Sequence, residues 1–166
     1  LLTPIDTAVY AYVGNDPINA IDPLGLATIY GVPPGAVLYS LNGQTFYAPP
    51  NANFQTVFNT GNGGGSFIEI GQAVGQGGMF DYQRDSSGNF YPAYTTAANL
   101  AVGYYMAGAG YSATATYGIG ELYALFNSSN YLSSYFNGGG NANYWSQAVG
   151  AANAGVFPTP VSKCGQ

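Results

Sequence analysis

Charged side chains are missing over long reaches of this chain. Residues 86–120 carry none, and neither do residues 122–162. A fold made from such segments cannot be organised by ion pairs or by a charged outer face. Apolar burial, hydrogen bonds between neutral polar groups and close backbone approach must hold it. Hydrophobic residues make up 47% of the 166 positions and aromatics 16%, with 16 Tyr and 25 Gly. That is enough apolar material for a core, since a domain of ~150 residues buries roughly 70% of its unfolded surface. It is too much for a disordered chain.

The same scarcity excludes whole classes of chemistry. There is no His, so no His-based triad, no His general base and no His metal ligand; a single Cys allows neither an intrachain disulfide nor a thiolate zinc site. No metal or cofactor is expected. Two Lys or Arg against seven Asp or Glu give a net charge of −5, which cannot build an electropositive track for nucleic acid. Membrane insertion is not excluded by charge, but both neutral stretches are broken by Asn, Ser, Thr and Gly. The longest apolar piece, residues 97–109, is shorter than the ~20 residues a span needs and reads as a buried core helix. Residues 1–10 carry Asp6 and no basic or long apolar run, so they do not read as a signal peptide.

Residues 1–26 differ in character from residues 27–166. Tyr10-Ala11-Tyr12-Val13 is a short β-type run, and Gly14-Asn15-Asp16-Pro17 and Asp22-Pro23-Leu24-Gly25 are turn signals. One strand and two turns are too little to fold alone. The ordered run from Tyr10 through Gly14-Asn15-Asp16-Pro17 to Asp22-Pro23-Leu24-Gly25-Leu26 resembles the end of the core of Rhs/YD-repeat proteins. In that family the repeats build a β-shell, the core ends at an Asp-Pro-Leu-Gly-Leu motif, and a variable toxin domain comes after it. The resemblance implies that Asp22 is a self-cleavage aspartate and that the chain is cut after Leu26. The family's partner aspartate has no counterpart here, so this chain is not expected to cut itself. Residues 27–166 are then the toxin payload. The resemblance also implies a cognate immunity protein, contact with the Rhs shell, and action as a secreted effector inside a target bacterium.

In the payload, residues 36–40 and 45–48 flank Asn42-Gly43, a strong hairpin signal. Residues 53–59 suggest a short helix with Phe54, Val57 and Phe58 on one face. Residues 66–73 suit either helix or strand, and residues 79–84 suit a strand or a single turn before the turn Asp85-Ser86-Ser87-Gly88. Beyond Pro92, the 3.6-residue period predicts helices from Thr95 or Thr96 to Gly108, from Ser112 to the Asn127 region, and from Asn143 to Ala154, with a tail from Pro158. The expected fold is a single compact domain, mainly α with a minor β-hairpin region (α+β), preceded by a strand-like remnant of the shell.

If the payload is an enzyme, its acid and base come from four carboxylates: Glu69, Asp81, Asp85 and Glu121. Glu69 lies between apolar neighbours that would raise its pKa, as a general acid requires. Asp81 follows Gly77-Gly78 and sits between Phe80 and Tyr82, with Arg84 nearby to hold it ionised or to grip substrate. Asp85 reads as a turn residue, Glu121 as either a buried hydrogen-bonded carboxylate or a helix-face charge, and Lys163 and Cys164 as tail residues. Phe80-Asp81-Tyr82-Gln83-Arg84, with residues 94–99 and Gly103, resembles the payload class called polymorphic toxin type 44. Some of its members carry a His that this chain lacks. From these residues we expect catalysis by Asp81, Glu69 and Arg84, with Tyr82, Tyr94 and Asn99 binding substrate.

Three functions fit the sequence. Two carboxylates suffice for a glycosidase, and neutral aromatic and amide side chains suit a sugar polymer, so a hydrolase of peptidoglycan glycan acting in the periplasm or cell envelope is expected first. A membrane-active toxin with Gly/Ala-rich helices is the alternative. A non-enzymatic binding module or an atypical nuclease is the third.

Overall fold

The computed structural model of the chain describes residues 32–127 and 140–161. Asp22, Leu26, Lys163 and Cys164, and with them the proposed boundary at residue 26, lie outside the described residues. The fold is α+β: among the described residues, five α-helices accompany a small antiparallel sheet.

The sheet begins as the expected hairpin. Strands β1 (Val37–Leu41) and β2 (Gln44–Ala48) pair antiparallel with Leu41 opposite Gln44. Asn42 (φ 51°) and Gly43 (φ 83°) both take the left-handed conformation that a two-residue hairpin turn demands and that Asn-Gly supplies most readily. The expected tail departs from the sequence reading. After Pro158 the chain returns to the sheet as β3 (Thr159–Pro160), which pairs with β1 and makes it the central strand. Proline is tolerated there because β3 is an edge strand. Val161 donates its N–H to Leu38 O at 2.8 Å.

Helix α1 (Phe54–Gly61) starts where Asn53 Oδ1 accepts from the Thr56 N–H. Helix α2 (Phe67–Val74) resolves the helix-or-strand alternative: Ser66 and Glu69 form a reciprocal capping box at its first turn, which satisfies two otherwise orphaned donors. Helix α3 (Thr95–Gly108) follows a 3-10 turn at Pro92–Tyr94, and α4 (Ala113–Asn127) starts at Ser112, whose Oγ accepts from the Ala115 N–H. Helix α5 (Gly140–Asn153) begins three residues earlier than its apolar period suggests.

Helix α3 exposes no residue fully, with Thr95, Thr96, Ala98, Val102 and Ala107 half-buried and the rest buried, as an all-round small and apolar surface requires. It packs chiefly against α5 and α1 and also meets α2, α4 and β2. Glycines make these crossings possible. A Cβ on Gly108 would strike the Phe58 carbonyl, and one on Gly61 would strike the Tyr105 carbonyl, so α1 and α3 touch through their backbones. A Cβ on Gly103 would come within 2.6 Å of Ala148 on α5. The front of the core is aromatic: the Phe54 ring contacts Tyr39, Phe46, Tyr82 and Tyr104. The tyrosine hydroxyls are tied to backbone, Tyr39 to Ala52 O, Tyr104 to Val156 O and Tyr105 to Gly64 O. Much of the tyrosine that the sequence reading assigned to a sugar-binding surface is therefore core.

Candidate functional site

Residues 75–91 connect α2 to the 3-10 turn, and they carry Asp81, Arg84 and Asp85, three of the five charged side chains among the described residues. Residues 79–84 form successive turns rather than a strand, because the N–H of Asp81 bonds to Gly78 O and that of Arg84 to Asp81 O. The loop is anchored behind by Met79 and Phe80, whose N–H groups bond to Gln72 O and Ala73 O at the end of α2. Further on, Arg84 bridges to Phe90 and the Tyr91 N–H bonds to Gln83 O.

This frame places Asp81 and Arg84 together. Asp81 Oδ2 accepts from Arg84 Nη1 at 2.8 Å and from the Gly77 N–H at 2.8 Å. Gly77 has φ 74°, which lets its amide face the carboxylate. The Asp81 side chain is only 6% exposed and that of Arg84 24%. The guanidinium also lies over the Phe90 ring, 5.3 Å from its centroid. Among the described residues no donor reaches Asp81 Oδ1.

Asp85 closes the next turn. Its Oδ1 accepts from the Ser87 and Asn89 N–H groups, and its Oδ2 from Asn89 Nδ2 and the Tyr91 hydroxyl, all at 2.8–2.9 Å. The Asn89 amide and then the Tyr91 hydroxyl do most to hold its carboxyl down at about 2, since donors to a carboxylate favour its charged form. The Tyr91 hydroxyl is pushed up in turn, chiefly by that bond.

Two cavities flank the loop. The larger, of about 720 Å³, opens between it and the proline-flanked ends of the hairpin, a size ordinary for ligand sites. Asp81, Arg84 and Asp85 line it together with Tyr82, Tyr91 and Tyr94. Tyr82 and Tyr94 are buried in its wall, the former accepting from the Asn53 N–H. Tyr91 is more open, its ring 5.9 Å from that of Tyr94. The smaller, of about 220 Å³, lies among α2, α3, α4 and α5, and Asp81 and Arg84 line it as well. The ion pair thus stands in the wall between them.

The expected site residues divide accordingly. Asp81, Arg84, Tyr82 and Tyr94 share the larger cleft, and Asn99 lines the smaller cavity. Asn99 is heavily committed there: Nδ2 donates to Thr95 O and to Asn141 Oδ1, and Oδ1 accepts from Trp145 Nε1 at 3.0 Å. Glu69 lines neither cavity. It is exposed at the start of α2, and its pKa is lowered, first by the Ser66 side-chain hydrogen bond. The rise expected from its apolar neighbours is reversed because Phe67 and Ile68 are themselves exposed. Glu121 is half-buried on α4.

The sequence reading of Asp85 as a turn residue is borne out by its bonds to Ser87 and Asn89, but it passed over the place that the turn gives Asp85 in the cleft, and it passed over Tyr91 and Thr116 altogether. The signal for Thr116 was its place on the α4 face shared by Ile119, Gly120 and Tyr123. Among the described residues no three acidic or cysteine side chains gather to hold a metal, and no helix is long and apolar enough to cross a membrane. Comparison with protein families, with characterised proteins and with solved structures finds no match.

Proposed function

We propose that this chain carries the toxin payload of an Rhs-type protein and that its larger cleft binds and hydrolyses a glycan of the peptidoglycan class. The observation that carries the reading is the cleft itself: two carboxylates and three tyrosines on one wall, with the sole arginine among the described residues paired to Asp81. Such a surface suits a neutral polyhydroxylated chain. The more open Tyr91 ring can stack on a sugar face, and carboxylates accept hydroxyl hydrogen bonds.

Hydrolysis then draws on Asp81 and Asp85 rather than on Asp81 and Glu69. Asp85, kept ionised by its four donors, supplies a fixed negative charge for a cationic sugar-ring transition state. Asp81, once substrate loosens its bond to Arg84, would take a proton from the attacking water and pass it to the glycosidic oxygen as the bond from that oxygen to the sugar carbon breaks. A second reading, glycan binding without cleavage, is favoured by one observation: Asp81 Oδ2 is already engaged by Arg84 Nη1 and by the Gly77 N–H, both at 2.8 Å. For the membrane-active alternative the glycines of the Gly/Ala-rich helices divide: Gly61, Gly103 and Gly108 are in close contacts within the fold, whereas Gly118 and Gly150 have no neighbour within 4 Å of where a Cβ would stand.

The immunity partner belongs to the same proposal. A protein presenting Arg or Lys opposite Asp81 and Asp85 would cover the cleft, and complementary charge would speed its encounter.

The test uses the whole chain, expressed in a bacterium with and without export to the periplasm, and the purified chain on isolated cell-wall sacculi. Killing confined to export, with reducing ends released from sacculi, is the expected result. Sacculus binding without release selects the binding reading. Killing confined to the cytoplasm, with no binding to sacculi, overturns both.

A further inference from the structure

The larger cleft has a negative charge that the fold does not answer. Asp81 and Arg84 cancel each other, and Arg84 is the sole cationic side chain among the described residues. Asp85 therefore sets the sign of the cleft, and with its carboxyl held at about 2 it stays ionised at neutral pH. Yet it has no room for another hydrogen bond. A carboxylate has about four lone-pair sites. The Ser87 and Asn89 N–H groups, Asn89 Nδ2 and the Tyr91 hydroxyl fill them, two on each oxygen. What Asp85 offers a ligand is charge without a free acceptor.

Beside that charge stands an accessible aromatic ring. Tyr91 lines the cleft, is half-buried and donates its hydroxyl proton to Asp85 Oδ2. A phenol bonded to a carboxylate is polarised, so its ring gains electron density and attracts a cation more strongly. The cleft's other open surfaces are weakly polar: Pro34 and Pro50 are exposed, and Met79, 75% exposed, presents a thioether.

These features choose among cations. A primary ammonium brings three donors and would give up bonds to water with no acceptor on Asp85 to replace them, a loss that opposes entry. A quaternary ammonium has no donor to satisfy. It spreads its charge over methyl groups, and aromatic rings are its usual protein partners. We propose that the larger cleft holds a quaternary ammonium site, in which a trimethylammonium group rests on the Tyr91 ring beside the Asp85 charge. The site goes beyond the glycan reading and does not depend on it. Its ligand is carried either by a phosphocholine lipid headgroup or by a soluble trimethylammonium compound.

Calorimetry of the purified chain with three small probes tests it: choline, ethanolamine with its primary ammonium, and the neutral isostere of choline in which tert-butyl replaces trimethylammonium. Choline should bind about tenfold more tightly than either. Tyr91→Leu should remove that preference, whereas Tyr91→Phe, which keeps the ring, should hold choline to within about threefold of the unmodified chain. Asp85→Asn should bring choline down to the level of its isostere. Choline bound no more tightly than the isostere or ethanolamine by the unmodified chain overturns the site, whatever the variants do. So does a preference that survives undiminished in a folded Tyr91→Leu. Phosphatidylcholine vesicles separate the two sources: capture of the chain that free choline reverses assigns the headgroup, and choline binding without capture assigns a soluble compound. The glycan reading is tested on sacculi, so either proposal can fail without the other.

Discussion

Asp81 and Asp85 stand one turn apart and are held by different means, which separates their expected behaviour. Asp85 keeps its carboxyl at about 2, against about 3.9 for an unfolded aspartate. A depressed folded pKa means that the unfolded chain binds more protons. The contribution to stability is therefore present above pH 4 and is lost as pH falls towards 2. Urea denaturation of the natural chain and of Asp85→Asn should show a constant gap from pH 7 to 5 that closes between about pH 4 and 2. A gap undiminished at pH 2 would mean that the turn's geometry, not its charge, is what the substitution harms. Asp81→Asn keeps shape and loses charge. Removing one partner of a fully buried pair costs about 3–5 kcal/mol, but Arg84 is partly solvated, so a loss of about 1–2 kcal/mol is expected. Hydrolysis should fall by about 10²–10⁴-fold, read as reducing ends released from sacculi by a variant confirmed folded. Full activity there would take Asp81 out of the chemistry. The sequence exposed Asp81 and Arg84 as a pair because both lie within one turn of a glycine-rich loop. It misjudged Glu69 because apolar neighbours in sequence were read as apolar surroundings in space, and Ser66, three residues earlier, had the stronger hold on that carboxylate.

At the scale of elements, glycine has two opposite roles. Gly108 on α3 leaves no room for a Cβ beside the Phe58 backbone, whereas Gly118 on α4 has nothing within 4 Å of where one would stand. Alanine gains about 1 kcal/mol over glycine inside a helix, so Gly118→Ala should stabilise by up to that amount. Gly108→Ala should destabilise by about 1–3 kcal/mol, since the overpacking cost outweighs the propensity gain. Denaturation midpoints check both, and a stabilising Gly108→Ala would show that α1 and α3 can separate without loss. Helices α3 and α4 were legible from period, and α4 also from its Ser112 cap, whereas α3 starts after Tyr94 with no side-chain cap rather than at the Thr95 or Thr96 cap the sequence offered; the hairpin was legible from Asn42-Gly43. The third strand was not, because Thr159-Pro160 has neither alternation nor a full set of donors and is a strand only because β1 lies beside it.

For the whole molecule, electrostatics is local. Among the described residues the single salt bridge is Asp81–Arg84, and cohesion comes from aromatic packing and helix contacts made through glycine. Unfolding free energy at pH 7 should accordingly vary by less than about 0.5 kcal/mol between 0.05 and 0.5 M NaCl. A larger dependence would reveal charge coupling that the packing does not suggest. The α+β class could be read from the chain because period and turn chemistry are local properties. The two cavities could not, since each is walled by elements from distant parts of the sequence. The pairing of β3 with β1 has a further consequence in time. Ser40 must wait for Thr159 before the sheet is complete. At about 5–20 residues per second of synthesis, the interval is roughly 6–24 s. Throughout it β1 offers an open edge, the kind that recruits strands from other chains. A nascent chain of this protein is thus most vulnerable to aggregation on the ribosome, and its sheet closes only as the last strand emerges.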